Sequence, residues 1–195
     1  MRRLSIATTL SLAVLIVSTV AAAPIKLHPS GTHTGIERID RVLDAVDARD
    51  GDALAALVQP FTRPCVAKPD QHIPSRPVCD TREKPGTPVQ VFWGGSCEGY
   101  FVRLTDASDT LEAWAGNVRG LYAVYRSKPA AQYSAFNPRA GFGVMYAAGK
   151  GRSLVAPKLI LGPRGRIRAV LSGCSETPAQ ELARVAGKLV LPPRK

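Results

Sequence analysis

Leu154-Val-Ala-Pro-Lys-Leu-Ile-Leu161-Gly-Pro-Arg-Gly165-Arg-Ile-Arg-Ala-Val-Leu171 decides the fold class. Residues 154–161 and 166–171 are aliphatic runs of strand length. Gly162-Pro-Arg-Gly165 between them carries the residues of a turn. Upstream, residues 141–147 read as another strand, joined through Gly149-Lys-Gly151, so the three form an antiparallel meander. Residues 121–125 add a strand before them. Further back, residues 89–93 and 99–104 form a hairpin about Gly94-Gly95-Ser96.

Helices flank this sheet region on both sides in sequence. Ile36, Ile39, Leu43 and Val46 recur at helical spacing, behind a Thr34–Glu37 capping box. Asp52 is placed to cap a second, shorter helix carrying Leu54, Leu57 and Val58. Asp106, with Asp109 three residues on, opens a third helix that turns Leu111 and Trp114 inward. Thr177-Pro-Ala-Gln180 is a capping box with Pro at the first helical position. It opens a closing helix whose apolar face is Leu182, Val185, Ala186 and Leu189. The pattern is α+β: a curved, mostly antiparallel sheet packed against N-terminal helices, with a C-terminal helix closing it.

Residues 1–23 have the three parts of a signal peptide. Arg2 and Arg3 give a positive start, an apolar core runs through residues 10–20, and Ala21-Ala22-Ala23 suits cleavage. The core is shorter than the roughly 20 residues that span a bilayer. Residues 24–33 read as a flexible arm, 34–191 as one domain with a Pro-rich loop at 61–88, and 192–195 as a tail. No second long apolar run follows, so no transmembrane segment is expected after cleavage. The expected location is secreted or periplasmic.

Four cysteines, Cys65, Cys79, Cys97 and Cys174, follow the leader. An even number in an oxidising compartment implies two disulfides, and four cysteines allow three pairings. Cys65–Cys79 with Cys97–Cys174 is favoured, because the first closes the Pro-rich loop and the second ties a middle strand to the end of the last one. No Cys-x-x-Cys pair and no well-placed histidine supports a zinc site, and no motif implies a cofactor.

Residues 24–118 carry 10 Lys and Arg against 13 Asp and Glu, whereas residues 119–195 carry 14 against two. Residues 119–175 contain no acid at all. Such a field draws anionic partners, although the plainer reading of basic charge is solubility. Arg164, Arg166 and Arg168 sharpen it. Alternating along one strand, they leave the same face while Ile167 and Leu171 take the other. Planar guanidinium forks suit carboxylate and phosphate, so these three are the candidate anion-binding residues; a solvated outer sheet face is the alternative. Few aromatics interleave with them, which argues against a specific nucleic-acid platform.

Ile36-Glu-Arg-Ile-Asp-Arg-Val-Leu-Asp-Ala-Val-Asp-Ala-Arg-Asp50-Gly-Asp-Ala-Leu-Ala-Ala-Leu-Val58 and the late Gly165-Arg-Ile-Arg-Ala-Val170 resemble the NTF2-like (SnoaL-like, cystatin-like) superfamily. An amphipathic helix, a short second helix, strands, a helix and an antiparallel run follow that family's order over residues 34–171. The resemblance implies a sheet curled into a cone around a pocket. Members include ketosteroid isomerase-like enzymes and non-catalytic binding domains, so the fold does not select a function.

No nucleophile elbow, metalloprotease helix or phosphate-binding loop occurs. His28, His33 and His72 fall in the arm and the Pro-rich loop, where nothing orients a general base. Glu98, beside Cys97, is the one acid without an evident local role and is the candidate pocket acid. The reading is an exported, non-catalytic domain that binds a small ligand or an anionic surface. The alternatives are a pocket hydrolase or isomerase of NTF2-like type, and an accessory envelope protein docked on an acidic component.

Overall fold

The computed structural model describes residues 25–69, 76–95, 99–128, 141–150 and 153–195. Residues 1–23, read as a signal peptide, and His72, Cys97 and Glu98 lie outside them.

The chain forms helices α1 (Glu37–Asp47) and α2 (Gly51–Ala56), then strands β1 (Phe61–Pro64), β2 (Pro88–Gly95) and β3 (Tyr100–Arg103). A short 3-10 turn leads into α3 (Ala107–Asn117). Strands β4 (Gly120–Ser127), β5 (Phe142–Ala147), β6 (Lys158–Leu161) and β7 (Ile167–Leu171) follow, then α4 (Pro178–Val185) and β8 (Ala186–Leu191). The fold is α+β, with a large, mixed and mostly antiparallel open sheet.

Among the described residues the sheet has eight strands, ordered β1-β2-β7-β6-β5-β4-β8, with β3 also paired to β2. Val91 pairs with both Phe61 and Arg103, so β1 and β3 flank β2 on opposite sides. The expected β2–β3 hairpin and β5–β6–β7 meander are antiparallel. The one parallel pairing between named strands joins β2 to β7, Trp93 opposite Ala169.

Both faces of the sheet are covered. On one, Ile39, Val42, Leu54 and Leu111 of the first three helices pack against Phe92, Phe142, Tyr146 and Leu161. On the other, Leu182 and Val185 of α4 lie with Tyr122, Tyr125, Met145 and Ile160, and Ile25 and Leu27 pack at the margin. This explains why β5 and β6 are buried at every position: a strand covered on two sides reads as a continuous apolar run.

The sequence places the starts of α3 and α4 correctly, sets that of α1 two residues too early and that of α2 two too late, and misassigns several caps. Thr34 does not pair with Glu37; its amide and hydroxyl both donate to the Asp40 carboxylate at 2.7 Å. Asp50, not Asp52, caps α2 by accepting from the Ala53 amide at 2.9 Å. Asp106 stands at the start of α3 and makes no side-chain cap bond. The Thr177 capping box forms with Gln180 as read, with Pro178 at the start of the helix.

Two larger differences follow from pairing. The chain does not close on a helix: α4 ends at Val185, and residues 186–191 pair antiparallel with β4 as β8. Within the Pro-rich stretch, residues 61–64 are a strand rather than irregular chain. The segment read as an arm runs along the sheet, where the His28 amide donates to the Leu121 carbonyl at 2.8 Å. The tail lies against it, with Arg194 donating to the Leu27 carbonyl and His28 Nε2 2.8 Å from the Pro192 carbonyl.

Cys65 and Cys79 form a disulfide. Cys174 is also disulfide-bonded, and its favoured partner Cys97 lies outside the described residues. Among the described residues no helix is long and apolar enough to cross a membrane.

An arginine-lined groove as candidate functional site

The turn before β7 and the chain leaving α2 are laced together. The Ile167 amide donates to the Leu57 carbonyl at 2.9 Å, and the Gln59 amide returns a bond to the Ile167 carbonyl at 2.7 Å. Val58 and Ile167 thereby form an isolated parallel bridge. This lacing sets residues 59–63 beside residues 163–168. The turn itself is tight, with the Gly162 amide bonded to the Arg166 carbonyl at 2.8 Å. Gly165 has φ +75°, and a Cβ there would stand 2.7 Å from the Arg38 carbonyl oxygen. Glycine therefore meets both a left-handed backbone and a close approach.

Two adjoining hollows open on this seam. One, of about 620 Å³, is lined by Gln59, Pro163, Arg164, Arg166 and Arg168. The other, of about 240 Å³, is lined by Gln59, Pro60, Phe61, Arg63 and Arg168. Gln59 and Arg168 wall both, so the hollows form one groove.

The three arginines read from the sequence thus come together, but not by simple alternation. Arg164 and Arg166 precede β7 and belong to the turn. Arg168 sits in a bulge: Ile160 pairs with Ala169 while Leu161 pairs with Ile167, leaving Arg168 unpaired with β6. A bulge re-aims its extra side chain, here toward the groove. Lys158, on the next strand, faces the α4 side and is buried.

Two of the four guanidinium groups have a defined setting. Arg166 Nη2 donates to the Val58 carbonyl at 2.8 Å, which fixes the side chain and leaves its other donors available. The Arg63 guanidinium lies 5.3 Å from the Phe61 ring centroid and 5.6 Å from that of Phe101, a cation–π arrangement that restricts its rotamers. Among the described residues no carboxylate pairs with Arg63, Arg164, Arg166 or Arg168. Arg63 was missed in the sequence because it is distant along the chain, and only the lacing at Val58 brings it to the turn.

A separate cleft of about 480 Å³ opens between α3 and the strand ends. Tyr100, Thr110, Trp114, Asn117, Val118 and Ser172 are among its walls, and among the described residues no Asp, Glu, His, Lys or Arg lines it. The Trp114 indole donates to the Leu171 carbonyl at 3.3 Å. Glu98 lies outside the described residues, so the cleft offers no acid or base from the described chain.

On the opposite side of the sheet, Lys158 Nζ stands 2.6 Å from Glu181, which also meets Arg184 at 2.5 Å. Arg184 reaches Glu176 at 3.2 Å. Burial lowers the Lys158 ammonium pKa, against the pull of Glu181. For Glu181, burial opposes the charge, but a hydrogen bond from Glu176 and the charge of Lys158 hold its carboxyl below the usual range. That shared hydrogen bond pushes Glu176 up. Sequence reading missed this network although it was visible: Pro178, Glu181, Leu182 and Val185 fall at helical spacing, so Glu181 shares the buried stripe.

Cys65, Cys79 and Glu83 are the only described residues grouped closely enough to suggest a metal site, and both thiols are consumed by the disulfide. No family model, curated protein or solved structure matches the chain.

Proposed function

We propose that this chain is an exported, non-catalytic domain of NTF2-like type that binds an acidic component of the cell envelope through the arginine-lined groove. The observation that carries the reading is the convergence of Arg63, Arg164, Arg166 and Arg168 on one seam without a carboxylate partner among the described residues. Like charges held together repel one another and attract counter-charge. The leader-like residues 1–23 and the Cys65–Cys79 disulfide support an oxidising destination. The order of two helices, a hairpin, a helix and an antiparallel run supports the NTF2-like assignment.

The test is retention of residues 24–195 on phosphocellulose over a salt gradient. The variant with Arg164, Arg166 and Arg168 all changed to Ala is compared with a charge-matched control in which Arg41, Arg82 and Lys188 are changed. Binding through the groove makes the first variant elute at clearly lower salt than the control. Equal elution of the two would show attraction by net charge alone and sink the reading.

A second reading, a small uncharged ligand in the cleft beside α3, is favoured by the cleft's uncharged lining with Tyr100 and Trp114 at its wall.

A further inference from the structure

We infer that the groove takes a linear, water-soluble ligand carrying at least two phosphate groups. This rests on the anionic-partner reading and specifies its chemistry.

The larger hollow gathers Arg164, Arg166 and Arg168. A carboxylate has two oxygens in one plane, and a single bidentate guanidinium fork satisfies that geometry. Three forks approaching one hollow supply donors from several directions, which suits the tetrahedral oxygens of phosphate. The hydrogen bond to Val58 removes one donor of Arg166 and orients the rest, so the hollow is preorganised.

The smaller hollow carries a second anchor. Arg63 is held over Phe61 and Phe101 before any ligand arrives. Gln59 and Arg168 line both hollows, so one chain lies across them without a break. The larger hollow receives one phosphate and Arg63 the next. Pro60, Phe61 and Pro163 stand at the walls. A concave groove of this kind accepts a chain more readily than the flat headgroup plane of a bilayer.

The experiment is calorimetric titration of residues 24–195 with orthophosphate, tripolyphosphate and citrate, and sedimentation with phosphatidylglycerol/phosphatidylcholine vesicles. Tripolyphosphate is expected to bind at least about tenfold tighter than orthophosphate, because the second contact is intramolecular once the first has formed. Arg63→Gln should bring tripolyphosphate down toward orthophosphate while leaving orthophosphate within about twofold, and Arg63→Lys should recover part of the loss. Arg164→Ala should weaken both. Thermal midpoints of the variants show whether each remains folded, and the Arg63→Lys comparison stands if Arg63→Gln does not.

Equal affinity for the two phosphates, or an Arg63→Gln variant that binds tripolyphosphate normally, would overturn the two-phosphate inference and leave the anion-binding groove standing. Citrate binding as tightly as tripolyphosphate would overturn the phosphate class. Binding to vesicles alone would replace a soluble ligand with a membrane surface. Failure to bind any of these anions, with the fold intact, would remove both this inference and the reading beneath it.

Discussion

Glu181 is 2% exposed and Lys158 6%, which makes theirs a buried ion pair rather than a surface one. Two charges taken out of water are tolerable together and costly apart. Glu181→Ala should therefore destabilise the protein by roughly 3–5 kcal/mol, whereas Lys158→Met with Glu181→Leu should recover most of that loss. Urea unfolding of the three proteins is the measurement, and a double variant no better than the single one would contradict the argument. The pH dependence has a definite sign. A carboxyl held below its ordinary value of 4.5 contributes stability above that value and loses it as pH falls through the depressed one. Glu176, pushed up, acts in the opposite sense, so the acid loss sets in as Glu181 itself protonates. Lys158, pushed down by burial, makes stability rise with pH below its ordinary 10.5. The wild type should thus lose stability toward acid more steeply than the doubly apolar variant.

Strand β5 shows how tightly the elements are fitted. A Cβ on Gly143 would stand 2.1 Å from the ring of Tyr125, which is itself fully buried. Gly143→Ala should destabilise by about 1–3 kcal/mol through overpacking. Gly116 in α3 meets nothing within 4 Å, so Gly116→Ala should be neutral or stabilise by up to about 1 kcal/mol. Thermal midpoints of the pair test the contrast; equal shifts would sink it. Much of this layer was legible in the sequence. The meander, the antiparallel pairing of β2 with β3, the inward Leu111 and Trp114 and the Thr177 box follow from local pattern, although Gly94 and Gly95, read as the turn, belong to β2. What was hidden depended on distant partners. Leu189 continues the helical spacing of Leu182 and Val185, yet β4 recruits its segment into the sheet, where pairing outweighs local preference. Residues 61–64, with a proline at the end, pair with β2 only because residues 88–91 lie alongside. The bulge that turns Arg168 toward the groove is a mismatch between two strands, and neither strand reveals it alone.

At the scale of the molecule, the two ends of the described chain meet. Lys26 and Arg194 form an antiparallel bridge, and His28 and Arg194 carry the side-chain bonds between arm and tail. Deleting residues 192–195 removes these contacts and should lower stability by on the order of 1–2 kcal/mol. Faster hydrogen exchange should be confined to the arm, and groove binding should be unchanged; exchange rising across the whole sheet would refute a local strap. The groove has the opposite dependence on the chain. Arg63 and Gln59 come from its front, Arg164, Arg166 and Arg168 from its back, and β2 must wait for β7 before their parallel pairing forms. Contacts so remote form late. In a polypeptide made N-terminus first the groove stays incomplete until Arg168 and β7 have appeared, so whatever it holds can be met only by a nearly finished chain.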